Sequence, residues 1–510
     1  MEISIERDSE IPLYVQIRDA IQAEIQAERL RAGDRLPTVT ALAKQIGVTQ
    51  ATIRRAFEDL SNAGCLESHV GRGTFIRQPD AADSSTINHA RRAPRFSDVP
   101  QTPEAALAAR RLRMGISRSL HELMALAKRP GLIRFTSGTP APETVQDGLL
   151  QQLVGQALQA GQRQYIDYGD PAGIPELRAE LAQYFQAHQF QVAPEQILIT
   201  NGSQQAVALL AQAALENQQR IICETPNYRG ITDVFGAFGH WVETVVRDAD
   251  GPIPERLERF ADGVPSLFYC VPELHNPMGT DLSPERRNML CEWANDQNTL
   301  LVADQIFHDL RFDDDSPPDL LTAMGARQTV VIGSLSKAFM CGLRVGWLVS
   351  SAERIRSLIP LKRVIDIACP PLMQGIAVEL LRSGEYDRHL QQVRQQYRAR
   401  RDAALSALQR FMPPDVTWTT PQGGFQMWVE LPEGYSSISL FLLAIERGVA
   451  FIPGPLQDIN HRFTHAFRFC YGDVPVEHIV EGVELLADAV RELLRGAPGD
   501  SGLSGLGDFQ

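Results

Sequence analysis

The stretch Gly333-Ser334-Leu335-Ser336-Lys337-Ala338-Phe339-Met340-Cys341-Gly342-Leu343-Arg344-Val345-Gly346 decides how this chain is read. The apolar run Thr329-Val330-Val331-Ile332 precedes it and Trp347-Leu348-Val349 follows it, so it reads as a turn of small residues between two buried strands. A single lysine, Lys337, lies inside that turn. Lysine is ordinarily a solvated cation, but in a low-dielectric pocket it loses its proton more easily and becomes an amine nucleophile able to form a Schiff base. Ser334 and Ser336 upstream, with Arg344 downstream, suit a phosphate dianion. Taken alone, Ser334-Leu335-Ser336-Lys337 is equally compatible with a surface turn, so its surroundings decide.

Those surroundings alternate. The runs Ile197-Leu198-Ile199-Thr200, Arg220-Ile221-Ile222-Cys223, Ser266-Leu267-Phe268-Tyr269-Cys270, Leu300-Leu301-Val302-Ala303 and Val330-Val331-Ile332-Gly333 read as buried strands. Helical patterns fall between them at 206–215, 232–238, 284–296 and 319–324. This predicts an α/β domain with a mainly parallel sheet covered on both faces, whose ligands collect at the carboxyl ends of the strands. The polar residues at those ends are Thr200-Asn201-Gly202-Ser203-Gln204-Gln205 at a helix start, Glu224-Thr225-Pro226-Asn227-Tyr228, His275-Asn276-Pro277-Met278-Gly279-Thr280 and Asp304. Phe467-Arg468-Phe469 adds a guanidinium near the end of the chain.

Working outward to the start of the chain, the pattern changes. Pro12 opens a helix with Leu13, Ile17, Ile21 and Ile25 on one face, 40–46 reads as a short helix, Gly47 breaks it, and Thr49 caps a third helix carrying Ile53, Phe57 and Leu60. Helix, glycine turn, helix is the DNA-reading hairpin. After Gly64, residues 65–69 and 73–77 read as two strands around Val70-Gly71-Arg72, a tip able to enter a minor groove or touch phosphate. The start of the third helix offers Thr49, Gln50, Thr52, Arg54 and Arg55 to a major groove, where Gln50 suits adenine and Arg54 suits guanine or a phosphate. Arg35 joins the same basic window: between Arg29 and Arg77 there are eight basic and four acidic side chains, on a chain whose net charge is −13.

With 510 residues the chain holds several domains. Its seven cysteines form no Cys-x-x-Cys pair, which argues against a disulfide framework or a zinc site, and no metal is expected. The first ten residues carry four acids and one arginine, and no apolar run approaches the roughly 18 to 20 residues that span a bilayer, so a cytoplasmic protein is expected. Residues 80–130, with Asp80-Ala81-Ala82-Asp83-Ser84-Ser85 and seven arginines from Arg91 to Arg118, read as a basic linker with a helical middle at 103–114. The expected division is 1–79 for the DNA-binding domain, 80–130 for the linker, 131–495 for the large domain with a smaller C-terminal α+β subdomain, and 496–510 for a disordered tail.

Two resemblances give these patterns names. Leu36-Pro37-Thr38, Leu42-Ala43, Ile46-Gly47-Val48-Thr49, Gly64-Cys65-Leu66-Glu67 and Gly71-Arg72-Gly73-Thr74-Phe75 resemble the winged-helix domain of GntR-type transcription regulators. That family usually has arginine at the positions of Thr40 and Gln50, so this chain departs where guanine would be read. Tyr165-x-x-Tyr168-Gly169-Asp170-Pro171-x-Gly173, Thr200-Asn201-Gly202-Ser203-Gln204, Asn276-Pro277-x-Gly279, Asp304, Ser334-x-Ser336-Lys337 and Arg344-x-Gly346 resemble a fold type I aminotransferase domain that uses pyridoxal 5′-phosphate. Together they resemble the MocR subgroup of GntR regulators over essentially the whole chain.

The resemblance implies that Lys337 holds the cofactor as an internal aldimine and moves protons once an incoming amine displaces it, with Asp304 paired to the pyridinium nitrogen. Asn276 would hydrogen-bond the phenolic oxygen, Tyr228 would stack on the ring, and Gly202, Ser203, Gln204, Ser334, Ser336 and Arg344 would form the phosphate cup. Tyr168 would reach the phosphate of the neighbouring subunit in a head-to-tail homodimer, while Arg468 and Gly138 are assigned to the effector, Arg468 as a clamp on its carboxylate. Where many aminotransferases carry a tyrosine just after the aspartate, this chain has Phe307, one hydrogen-bond donor fewer, with His308 next to it as a substitute donor. The implied function is a transcription regulator that binds double-stranded DNA and senses an amine or amino acid as an external aldimine. The alternative is an active aminotransferase carrying an accessory DNA-binding domain.

Overall fold

The computed structural model describes residues 124–313 and 328–496 apart from 162 and 189, residue 498, and, nearer the start, 16–18, 20–21, 34, 36–50, 52–53, 56–57, 66–69 and 73–76. The chain divides into two compact units, Met1–Arg95 and Phe96–Gln510. The expected helices at 103–114 and 319–324, the roles of Leu13, Ile25 and Leu60, and the Val70-Gly71-Arg72 tip lie outside the described residues.

In the first unit, α1 (Val39–Ile46) begins where the Thr38 hydroxyl accepts the Ala41 amide at 3.2 Å, and it ends at Gly47, whose φ of 75° is a left-handed conformation that suits glycine. Thr49 Oγ1 accepts the amide of Thr52 at 3.3 Å, and helical backbone follows. Leu42 and Ala43 pack with Ile53, Ala56 and Phe57 from that second helix, and with Ile17, Ile21 and Leu36, to form a small apolar core. The strands β1 (Leu66–His69) and β2 (Gly73–Ile76) pair antiparallel, Leu66 opposite Ile76 and His69 opposite Gly73. The Leu36 amide donates to the Thr74 carbonyl at 2.9 Å and ties this wing to the helices.

The second unit is built on one sheet. Seven strands lie in the order β3 (Ile197–Thr200), β9 (Gly346–Val349), β8 (Thr329–Ser334), β7 (Leu300–Asp304), β6 (Ser266–Cys270), β4 (Arg220–Thr225) and β5 (Val242–Val246). All neighbours are parallel except β9, which runs antiparallel between β3 and β8. The strands are apolar on both faces because both are covered: Ile222, Phe268, Leu301, Ala303 and Val331 face one core, while Ile221, Cys223, Leu267, Val302 and Ile332 face the other. Two helices sit at strand ends that matter below, α2 (Ser203–Glu216) after β3 and α3 (Ala352–Asp366) after β9. The helix expected at 206–215 starts earlier, at Ser203, because Gly202 at φ 77° and ψ 172° turns the chain directly out of β3. A smaller α+β subdomain follows, with the antiparallel sheet β10 (Thr417–Trp418), β11 (Gln426–Glu430), β13 (Ala466–Cys470) and β12 (Ile452–Pro453), and with the 20-residue helix Val476–Arg495 packed on the 27-residue helix Glu385–Phe411. No helix of the described residues is long and apolar enough to cross a membrane.

Candidate functional site

The carboxyl ends of β3, β7 and β8 bring the sequence-selected residues together. Lys337 lies three places past the end of β8, in the four-residue helix Leu335–Ala338, which Ser334 caps: the Ser336 amide donates to Ser334 Oγ at 3.1 Å. The Lys337 amine donates to the backbone carbonyl of Gly138 at 2.6 Å. Burial pushes its proton affinity below that of a free lysine, and the Arg468 guanidinium pushes in the same direction, which is the condition for an amine nucleophile.

Asp304 ends β7 and is buried. Burial drives its carboxyl up to about 6, against the opposing pull of hydrogen bonds from the Tyr269 hydroxyl and the Ile306 amide and of the Lys337 charge. Tyr269 escaped sequence reasoning, because a tyrosine inside an apolar run reads as packing. The signal was parity: Tyr269 lies opposite Val302 on the adjacent strand, and Asp304 follows two places later on the same face.

Across the site, Arg468 in β13 donates to Asn276 Oδ1 at 3.0 Å and to the Thr136 carbonyl at 3.3 Å. Its buried Nε has no hydrogen-bond partner among the described residues. A guanidinium with a free buried donor, next to a lysine, has the chemistry to accept a carboxylate. Gly138 packs within 3.9 Å of Arg468 Nη2 at the point where a Cβ would stand. Beneath Asn276 lies a charged cluster that sequence reasoning missed. Arg247 donates to Glu224 at 3.2 Å and His275 Nε2 lies 3.3 Å from the same carboxylate, all three buried. Burial pushes Glu224 up, but Arg247 and His275 outweigh it and hold the carboxyl below its usual range; burial lowers His275 to about 4, so its ring is neutral near pH 7. Glu273, also missed, accepts from His308 Nδ1 at 2.7 Å and from Gln305 at 3.3 Å, tying the Asn276 loop to the Asp304 loop. His308 is therefore engaged with Glu273.

The anion cup forms where Gly202, Ser336 and Arg344 converge. Arg344, itself left-handed at φ 54°, donates to the Asn201 carbonyl at 2.8 Å and to Ser336 Oγ at 3.4 Å. A Cβ on Gly202 would stand 2.6 Å from Arg344 Nη2, and one on Gly346 would stand 2.8 Å from Gly202 Cα. The close approach leaves backbone amides at the start of α2 beside a guanidinium and a hydroxyl, a donor set that fits a phosphate dianion. Ser203 is half-buried there, whereas Gln204 is exposed and it is Gln205 that closes the loop, accepting the Asn201 amide at 2.7 Å. Ser334 Oγ lies 2.9 Å from the Val345 carbonyl and is spent on the turn itself. Tyr228 is 45 % exposed and its ring folds back over Gly230, and Tyr168 is 70 % exposed. Phe307 is 1 % exposed, edge-on to Phe425 with ring centroids 5.4 Å apart.

In the first unit, Gln50 is exposed, but the hydroxyls of Thr49 and Thr52 lie 2.9 Å apart and bond to each other. The Thr49 hydroxyl also caps the helix by accepting the Thr52 amide. Arg35, Arg54, Arg55, Gly71 and Arg72 lie outside the described residues. No cluster of potential metal ligands occurs among the described residues, and of the cysteines described Cys341 is half-buried and the others buried, all as free thiols.

Comparison with known proteins agrees with this geometry. The profile of the family "Aminotransferase class I and II" matches residues 130–486, and that of "Bacterial regulatory proteins, gntR family" matches 13–76. The 2-aminoadipate transaminase of Thermus thermophilus is 32 % identical over 74 % of this chain and 94 % of its own length. An uncharacterized HTH-type transcriptional regulator of Bacillus subtilis, YdfD, is 27 % identical over 95 % of this chain and 97 % of its own. The crystal structure of the α-aminoadipate aminotransferase LysN from Thermus thermophilus, complexed with N-(5′-phosphopyridoxyl)-L-leucine, superposes with a TM-score of 0.67 at 30 % identity, covering 75 % of this chain and 97 % of that one.

Proposed function

Because this chain belongs to the class I and II aminotransferase family and carries a GntR-family domain ahead of that fold, we propose that it is a MocR-type transcription regulator whose large domain senses a small amino acid or amine. The observation that carries this reading is the pairing of both domains in one chain, matched nearly end to end by a relative named as a transcriptional regulator. Pyridoxal 5′-phosphate is the cofactor of the large domain, and when bound it supplies an aldehyde that links reversibly to amines and a ring that withdraws electrons. Lys337, its proton affinity lowered by burial, would anchor the group. Asp304 would pair with the ring nitrogen, Asn276 would hydrogen-bond the phenolic oxygen, Tyr228 would stack on the ring, and Gly202, Ser203, Ser336 and Arg344 would hold the phosphate, with Ser334 shaping the turn and Gln204 at its rim. Arg468 takes the effector's carboxylate by exchanging its bonds to Asn276 and Thr136, so the favoured effector carries both an amine and a carboxylate.

The exposed Tyr168, with Ile166 at 83 % and Val364 at 89 % exposure, supports a surface covered by a second copy, the head-to-tail homodimer in which Tyr168 completes the partner's cup. DNA is read by the N-terminal domain through Gln50, Arg35, Arg54 and Arg55, with Gly71 and Arg72 at the wing and Thr49 and Thr52 fixing the helix that presents them. The domain boundaries fall near 79, 130 and 495, and the protein works in the cytoplasm. One observation favours a second reading: Lys337, Asp304, Asn276 and Arg468 are all present at one site, as a working transaminase requires. The test is the affinity of the holoprotein for its own upstream DNA, measured by fluorescence anisotropy with and without a panel of amino acids. The regulator reading expects at least one to change that affinity, and Lys337→Ala to abolish the response while retaining DNA binding. Unchanged affinity across the panel, together with transamination at tens of turnovers per second, would establish the enzyme instead.

A further inference from the structure

Helix α3 ends at Asp366, beside the Asn201 loop, and its carboxylate gathers donors from three residues. Lys362, one turn earlier and 0 % exposed, reaches both oxygens at 3.0 and 3.2 Å. Oδ2 also accepts from Asn201 Nδ2 at 2.8 Å and from Gln205 Nε2 at 2.7 Å. Asn201 is thereby committed through its side chain to Asp366, its amide to Gln205 and its carbonyl to Arg344. Gly202 follows directly, wedged against Arg344 and Gly346.

The backbone after Asp366 is equally constrained. Ile367 has φ 65° and ψ −63°, and the Ala368 amide donates to the Asp366 carbonyl at 2.7 Å, a γ-turn of the kind that β-branched residues rarely adopt. Such a turn persists where its surroundings over-determine it, and such strain concentrates at functional sites. A buried ion pair contributes little net stability compared with apolar packing of the same volume, so the burial of Lys362 calls for another reason. Orientation of the loop is that reason.

We propose that Asp366, held by buried Lys362, is a positioning residue for the phosphate cup: it fixes loop 201–205 so that Gly202, Ser336 and Arg344 converge on one dianion. No atom of Asp366 needs to touch the phosphate. The inference rests on the assignment of this cup to the phosphate of pyridoxal 5′-phosphate, and it predicts a selective loss. Binding energy that depends on the phosphate falls, while binding that depends on the ring and on Lys337 does not.

The experiment titrates the cofactor-free protein with pyridoxal 5′-phosphate and, separately, with pyridoxal, following absorbance, and compares wild type with Asp366→Asn and Asn201→Ala. The readout is the preference for the phosphorylated over the unphosphorylated compound. Both variants are expected to lose that preference by about tenfold or more, the scale of one hydrogen bond to a charged group, with pyridoxal affinity unchanged. Asn201→Ala leaves the Lys362 pair intact and decides the matter if Asp366→Asn, with its buried cation unpaired, does not fold. A preference retained in the folded variants, or a parallel weakening of both compounds, overturns the proposal. A wild type that does not distinguish the compounds sinks the assignment of the cup, and this inference with it.

Discussion

Replacing Asp304 by asparagine in the cofactor-free protein tests the electrostatics of the site directly. Burial raises the Asp304 carboxyl from 3.8 to about 6, which at roughly 1.4 kcal/mol per tenfold change in proton affinity amounts to about 3 kcal/mol. Because the folded state binds the proton more tightly than the unfolded state, the sign follows: stability is fully present below 3.8 and is lost as the pH rises through about 6. Wild type should therefore lose about 2 kcal/mol relative to Asp304→Asn between pH 4 and pH 7, part of the full effect being already lost at pH 4, which lies above 3.8. Asparagine can accept from only one of Tyr269 and Ile306, which offsets the variant's stability by an amount that does not vary with pH, so the difference in slope is the measure. Denaturant unfolding at a series of pH values gives that slope, and titrations of every other group cancel between the two proteins. The cofactor-free protein is used because a cofactor paired with Asp304 would favour its charged form. Parallel pH profiles for the two cofactor-free proteins would refute the reasoning, because they would mean that the carboxylate is not buried at neutral pH.

Four further outcomes are expected. Phe307→Tyr restores a donor near the ring and should lower the pH midpoint of the bound cofactor's absorbance change; an unmoved midpoint means the new hydroxyl stays in the packing against Phe425. Gly346→Ala places a methyl 2.8 Å from Gly202 Cα, where backbone cannot yield as a side chain would, so affinity for the phosphorylated cofactor should fall sharply in an equilibrium titration. In the N-terminal domain, Gln50→Ala should cost about 1 to 3 kcal/mol at one operator position in a binding-site selection. Arg72→Ala should instead weaken all sequences evenly and flatten the salt dependence.

What sequence could show follows from the range over which each signal acts. Apolar runs of four or five residues mark strands buried on both faces, and all five read that way are strands of the central sheet. Helix stops and starts are equally local, so Gly47 and Thr49 are legible from their neighbours, whereas the Thr38 cap escaped sequence reasoning and the helix it starts begins one residue before the expected 40. Lys337 and Asp304 stand out because a charge beside a buried apolar run is costly to desolvate unless a partner or a ligand meets it. Tyr269, Glu224 with Arg247, and Asp366 with Asn201 are different in kind. Each owes its role to a contact between residues far apart in the chain, such as the 165 positions separating Asp366 from Asn201, and nothing beside it in sequence announces the partner. The Thr49 and Thr52 hydroxyls, selected for a groove, also bond to each other, because a hydroxyl at a helix start is in demand for the cap.

Lys337 rests on the Gly138 carbonyl and Arg468 on the Thr136 carbonyl, so one short segment of backbone answers both cations of the site. On the proposed reading, a carboxylate that engages Arg468 would compete with the Thr136 carbonyl, and whatever binds the Lys337 amine would compete with the Gly138 carbonyl. Occupation at either end would then be felt by the same three residues of backbone, 136–138, which would make that segment the shortest physical link between the two halves of the site.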